Sequence, residues 1–138
     1  MTSHKKFTSS TLHTGNMRCY NHFTPSGETF ATDIPTALGG RGEFPSPADM
    51  LAACVASCML SMITYTAIRR HVEPEGISVR AACTEGERGI NLIELDISVP
   101  SSLPHADRKV MEAAARSCPV GNALHPDIEK RITWHWPD

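Results

Sequence analysis

Ser46-Pro47-Ala48-Asp49-Met50-Leu51-Ala52-Ala53-Cys54-Val55-Ala56-Ser57-Cys58-Met59-Leu60-Ser61-Met62-Ile63-Thr64-Tyr65-Thr66-Ala67-Ile68-Arg69-Arg70 is the stretch around which the rest of this sequence organises. Ser46 followed by Pro47 supplies an N-cap and a first-turn proline. Asp49 puts a carboxylate in the first turn, and Arg69-Arg70 close the last with positive charge. Between Met50 and Ile68 there is no charged residue. The pattern predicts a helix from Ser46 to Arg70, uncharged as complete burial inside a domain requires. Its length is close to that of a membrane span. Ser57, Ser61, Thr64, Tyr65 and Thr66 interrupt the apolar character, however, and no second such segment exists, so no membrane is expected.

Upstream, Lys6 to Asp33 reads as short β-prone runs divided by Gly15-Asn16 and by Pro25-Ser26-Gly27, a three-stranded meander. Gly39-Gly40-Arg41-Gly42 and Pro45-Ser46-Pro47 form the loop that leads into the helix. Downstream, Ile77 to Thr84 and Ile90 to Val99 alternate apolar and polar residues on either side of Gly86-Glu87-Arg88-Gly89, the pattern of a hairpin. A second helix fits Pro104 to Ser117, with Val110, Ala113, Ala114 and Ser117 to Cys118 at helical spacing and Asp107, Arg108, Lys109 and Glu112 facing out. A brief helical turn from Pro119 to Leu124 and a strand from Ile128 to Trp136 complete the order β-β-β-α-β-β-α-β. The class is α+β, in a single domain over residues 1–138.

The composition is that of an ordinary globular chain: 138 residues, 41% hydrophobic and 20% charged. A net charge of -2 with scattered basic residues argues against a nucleic-acid partner. The sequence opens Met1-Thr2-Ser3-His4-Lys5-Lys6 and then turns polar, with no secretory signal to read. A cytoplasmic location is expected. Five cysteines in a reducing compartment are then buried thiols, metal ligands or catalytic groups rather than a disulfide scaffold.

Cys54 and Cys58, one turn apart on one helix face, are open to three readings: two small core side chains, a redox site, or half of a metal site. A structural zinc site needs four ligands, and the seven histidines are spread singly. Cys118 stands directly before Pro119, at the N-cap of the following turn. There, free backbone N–H groups and the helix dipole favour a thiolate. On local physics alone Cys118 is therefore the more acidic thiol, and a mid-helix Cys58 needs a cation delivered from elsewhere in the fold. Cys19 and Cys83, on predicted strands, read as structural. His22, His105 and His125 read as surface residues.

Pro47-Ala48-Asp49-Met50-Leu51-Ala52-Ala53 with Cys58 beyond it, and Cys118-Pro119-Val120-Gly121-Asn122-Ala123-Leu124, resemble the OsmC/Ohr family of osmotically inducible and organic hydroperoxide resistance proteins. The likeness extends over nearly the whole chain. It implies a cysteine-based peroxidase built as an intertwined homodimer, with its active sites at the interface. By position, Cys58 matches the peroxide-attacking cysteine and Cys118 the resolving one, which overrides the dipole-based choice. The activating arginine, carried on the early strands ahead of a turn glycine, matches Arg18 before Gly27, with Arg41 a weaker candidate. One departure is plain. The hydroperoxide-resistance branch has a glutamate directly after the motif proline to hold that arginine, where this chain has Ala48. Asp49, one position later, is the candidate carboxylate, either in that role or as a helix N-terminal charge. Cys54 has no counterpart and either packs or serves as a backup thiol.

The chemistry so implied is attack by the Cys58 thiolate on an organic hydroperoxide. The resulting sulfenic acid condenses with Cys118, and a dithiol such as a lipoyl group then reduces the disulfide. No metal or cofactor enters it. Met59, Met62, Phe23 and Phe44 are candidates for the apolar walls. A reading of a different class keeps the fold without catalysis, as a dimeric module that binds a hydrophobic small molecule or senses redox state.

Overall fold

The computed structural model describes residues 6–100 and 103–137. The chain forms two compact units, Met1–Met50 and Leu51–Asp138. In the first, β1 (Ser9–Gly15), β2 (Arg18–Phe23) and β3 (Thr29–Thr32) make an antiparallel sheet in the order β1-β2-β3, the meander read from the sequence. Leu12 faces Tyr20 across the first pair, and Tyr20 faces Ala31 across the second. Beyond β3 the chain makes a 3-10 turn at Thr36–Leu38, directly ahead of the glycine-rich loop. Gly40 is obligatory here, because a Cβ at that position would collide with the Ile34 carbonyl oxygen.

The long helix α1 (Pro47–Arg69) begins at the end of the first unit and runs into the second. Its start is a reciprocal capping box. Ser46 Oγ accepts the Asp49 N–H (3.1 Å), and the Asp49 carboxylate accepts the Ser46 N–H (3.0 Å). Its end is a Schellman turn: His71 takes a left-handed φ of 59°, and the Val72 N–H reaches back to the Ala67 carbonyl (2.9 Å).

The second unit carries β4 (Ser78–Gly86), β5 (Gly89–Ser98) and β6 (Glu129–His135), in the order β4-β5-β6. The hairpin pair is antiparallel and β6 lies parallel to β5, so the chain crosses over between them through α2 (Arg108–Arg116) and α3 (Pro119–Asn122). Alternation places Ile93, Leu95 and Ile97 of β5 on one face, all fully buried. There they join Ala52, Val55, Met59, Ile63 and Ala67 of α1, Met111 and Ala115 of α2, and Cys118 in one apolar cluster.

Two details differ from the sequence reading. Burial of α1 is a stripe at i, i+3, i+7, i+11 and i+15, and is not complete: Tyr65 and Ile68 are 59% and 62% exposed. Lack of charge along a helix permits full burial but does not impose it. In the second helix Ala114 and, just beyond its end, Cys118 are buried as expected, but Met111 and Ala115 are the other buried positions, in place of Val110, which is half-buried, and Ala113, which is exposed. The cause is its entry through a 3-10 turn, His105–Asp107, which winds three residues per turn and shifts the phase of α2 behind it. Asp107 turns inward with that shift and pairs with Arg70 at 2.6 Å, instead of facing solvent.

Ile63→Ala should lower the unfolding free energy by about 2–5 kcal/mol, the range for truncating a fully buried aliphatic side chain. Urea denaturation measures this. A loss below about 1 kcal/mol would mean that the stripe is not core.

Candidate active site

Cys118 sits where α2 ends and α3 begins. Proline after it disfavours helical geometry, and its backbone is extended (φ -57°, ψ 112°), so the chain turns sharply and the side chain points inward. The sulfur accepts the Gly121 N–H at 3.3 Å and lies 3.9 Å from the Val55 carbonyl of α1, to which its S–H can donate. Only 2% of the residue is exposed. Burial pushes the Cys118 thiol above its ordinary value. The Gly121 N–H offsets part of that rise, and the neighbouring Cys58 adds to it through its hydrogen bond and its charge. The expectation that the N-cap position favours a thiolate at Cys118 is thus not met: the cap contact exists, but a single helical turn offers little dipole against nearly complete desolvation.

Cys58 is half-buried beside the α1 stripe and packs against the same cluster, close enough to Cys118 to act on its ionisation. The two cysteines singled out by motif therefore meet in one unit. Cys54, one turn earlier, is exposed. Next to Cys118 lies a cavity of about 290 Å³, with Met59, Ala115 and Ile132 as its apolar walls and Arg116 and Lys130 as its cations. A larger cavity, about 760 Å³, lies at the Gly86–Gly89 turn and has no cysteine in its lining. Among the described residues, no group of three or more His, Cys, Asp or Glu side chains converges as a metal site would require.

Arg18 belongs to the first unit, at the start of β2, and is 8% exposed. Its partner is Asp33, a residue that sequence reasoning did not single out. Nε and Nη2 each bond one carboxylate oxygen at 2.8 Å, and the second oxygen also accepts the N–H groups of Glu43 (3.0 Å) and Phe44 (3.1 Å). The Phe44 ring lies 4.6 Å from the guanidinium carbon, and Glu43 stands 3.7 Å from Nη2. Phe44, a candidate for an apolar wall, thus packs on the arginine. The Arg18 hydrogen bond holds the Asp33 carboxyl well below the usual carboxylate range, helped by the two backbone N–H groups and opposed by desolvation. The Asp33 signal in the sequence was faint: an acidic residue closing a β-run ahead of a glycine-rich loop. Of the two roles open to Asp49, partner of the arginine or helix N-terminal charge, its contacts match the second: it is exposed and its carboxylate is engaged in the capping box. Arg41 meets the Asn16 amide oxygen at 3.0 and 3.2 Å, with that amide oriented to satisfy both groups. His22, His105 and His125 are exposed, as read.

A family model described as OsmC-like protein matches residues 40–133, well over half of the chain. The chain belongs to the OsmC-like protein family. Solved OsmC-like structures superpose over nearly its full length. One, from Psychrobacter arcticus 273-4 and named an osmotic stress induced and detoxification response protein, is 26% identical with a TM-score of 0.91, over 98% of this chain and 100% of that one. An organic hydroperoxide resistance protein OsmC from Legionella pneumophila is 22% identical with a TM-score of 0.67, over 95% and 98% of the two chains. An organic hydroperoxide resistance protein from Vibrio cholerae, with captopril in one of its active sites, is 18% identical with a TM-score of 0.72, over 95% and 93%. No curated protein matches this chain. The α+β class with two sheets and a central helix is thus the OsmC-like fold.

The site's electrostatics lead to two outcomes. Cys118 should resist iodoacetamide at pH 7.5 and react only above the ordinary thiol value of about 8.5; peptide mapping across pH measures this, and free-cysteine reactivity at pH 7.5 would contradict it. Asp33→Asn should lower stability at pH 7. Because the folded carboxyl is depressed, its contribution is fully present above the unfolded value of about 3.9 and fades as pH falls further. The gap between wild type and variant should therefore narrow at pH 3 in denaturant titrations, and a gap independent of pH would rule out an ionised pair.

Proposed function

We propose that this protein is a thiol peroxidase that reduces organic hydroperoxides to alcohols through a Cys58–Cys118 disulfide. The observation that carries the reading is the meeting of these two thiols in one core, one half-buried and the other buried with its pKa raised. A peroxide-attacking sulfur has to be reachable. A resolving sulfur is best kept as a thiol, out of solvent, until the sulfenic acid beside it has formed. Cys58 has the first character and Cys118 the second. Hydroperoxide resistance proteins among the structural neighbours supply the substrate class.

In this scheme the Cys58 thiolate attacks the distal peroxide oxygen, the alkoxide leaves with a proton as the alcohol, and the sulfenic acid condenses with Cys118 with loss of water. Arg18 is the cation assigned to the thiolate and to the developing alkoxide, held by Asp33. Asp49 fixes the first turn of α1, the helix that carries the nucleophile. A dithiol returns the disulfide to thiols. The working form is a homodimer, in which the outward side of α1, with Tyr65 and Ile68, is covered by a second copy. Sedimentation as a monomer at micromolar concentration would argue against that assembly.

The activity test is consumption of cumene hydroperoxide in the presence of dithiothreitol. Cys58→Ser should be inactive, and Arg18→Ala should be slower by about tenfold or more, a loss of roughly 1.4 kcal/mol of transition-state stabilisation. Peptide mapping of peroxide-treated protein should show Cys58 linked to Cys118. Full activity of Cys58→Ser would overturn the peroxidase reading in favour of a non-catalytic module that binds a hydrophobic ligand.

A further inference from the structure

A lysine stands in a row of β6 side chains that is otherwise apolar. The inward positions along β6 and its flanks are Ile128, Lys130, Ile132, Trp134 and Trp136, and all but the lysine pack on the core as apolar groups. Lys130 is paired in register with Ile93, which is fully buried. Among the described residues no carboxylate comes within ion-pair distance of it, and its ammonium donates instead to the Gly121 carbonyl at 2.7 Å. That carbonyl already accepts the Leu124 N–H at 3.3 Å, so the lysine is not needed to satisfy an orphaned backbone group. A half-buried ammonium also costs more than the aliphatic side chains on either side of it. What Lys130 does hold is a turn. Its stem passes Gly121 so closely that a Cβ there would lie 3.5 Å from Lys130 Cδ, with the Cys118 sulfur and Val55 Cγ1 each 3.6 Å away.

We propose that Lys130 is a positioning residue for Cys118: it pins the Pro119–Asn122 turn through Gly121 and so keeps the Gly121 N–H on the Cys118 sulfur. Its consequence for disulfide closure rests on the peroxidase reading. A helix of four residues is far below the length that is stable by itself, so its place depends on tertiary ties. Besides the contacts of Cys118 itself, these are Lys130 on the Gly121 carbonyl and the Asn122 amide on the Arg116 carbonyl (3.2 Å). The titratable and charged groups around Cys118 are Cys58 of α1, Arg116 at the end of α2 and Lys130 of β6, while the buried face of β5 is aliphatic. Burial acts on the Cys118 thiol most strongly and raises it, and the Gly121 N–H works against that rise. Closure needs the thiolate. Cys118 gives up its proton, its sulfur bonds to the Cys58 sulfenic sulfur, the S–O bond breaks, and the hydroxide leaves with that proton as water. A turn freed from Lys130 lets the Gly121 N–H drift from the sulfur and leaves the thiol still harder to ionise.

The acidity of Cys118 is read in a Cys58→Ser background, where neither peroxide nor a disulfide takes part, from the rate of its alkylation by iodoacetamide across pH. The midpoint of that profile reports ionisation and the plateau reports access, so a change in packing that only opens a path to the sulfur moves the plateau alone. Lys130→Met keeps the stem and removes the donor. Its midpoint should rise by about one pH unit, the scale of one lost hydrogen bond to a charged group. Lys130→Arg should restore the midpoint found with lysine. With Cys58 present, one unit leaves about tenfold less thiolate of about threefold greater nucleophilicity, so closure after a pulse of cumene hydroperoxide should slow by about threefold in Lys130→Met. Dimedone competing for the Cys58 sulfenic acid measures this. An unchanged midpoint in Lys130→Met, or a raised one that Lys130→Arg does not restore, would overturn this inference and leave the peroxidase reading standing. Wild-type protein in which peroxide yields neither a Cys58 sulfenic acid nor a disulfide would overturn the peroxidase reading alone, since the midpoints, measured without peroxide, decide the role of Lys130 at Cys118 independently.

Discussion

The seating of one stripe of α1 on the central strand β5 is the constraint on which the second unit depends. Ala52, Val55, Met59, Ile63 and Ala67 meet Ile93, Leu95 and Ile97, and each large aliphatic member removed from water contributes about 1.5–3 kcal/mol. That contact fixes the rotation of α1. Rotation in turn decides that Met59 is inside, Cys58 at the boundary and Cys54 in solvent. The Val55 carbonyl then lies against the Cys118 sulfur, so the cysteine pair is a by-product of core packing. No dedicated binding loop is needed to bring it together.

Two polar arrangements are set against this apolar frame. At Cys118 a local effect and a tertiary effect compete, and magnitude settles the contest: one Gly121 N–H at the mouth of a single helical turn cannot offset nearly complete removal from water. At Arg18 the competition ends the other way. Two bonds to Asp33, with two backbone N–H groups on the same carboxylate, more than compensate its desolvation and keep it ionised. The same four bonds tie β2, the end of β3 and the following loop together. Asp33 therefore has a structural duty in the first unit whatever Arg18 does chemically.

Much of this was legible in the chain. Gly15-Asn16 and Pro25-Ser26-Gly27 marked the turns of the meander, Ser46-Pro47 and Arg69-Arg70 the ends of α1, and Gly86-Glu87-Arg88-Gly89 the hairpin. These are local signals, written by residues with strong backbone preferences. The phase of α2 was not legible, because a 3-10 entry and a regular helical entry look alike until the inward turn of Asp107 towards Arg70 is seen. The Asp33 partner was hidden for a similar reason. The capping box claims Asp49 through contacts three residues apart, whereas the Arg18–Asp33 pair joins residues fifteen apart through a loop whose path has no periodicity.

By itself, then, the sequence determined the order of the elements, most of their ends and the OsmC-like family. Turn glycines, prolines, caps and motifs act over a few residues and survive being read in one dimension. Tertiary structure decided which face of α1 is buried, which thiol is raised in pKa, which carboxylate holds Arg18, and that Lys130 and Arg116 share a cavity with Cys118. Each of these depends on desolvation or on side chains brought together from distant segments, and burial is a property of the packed chain that no single residue carries.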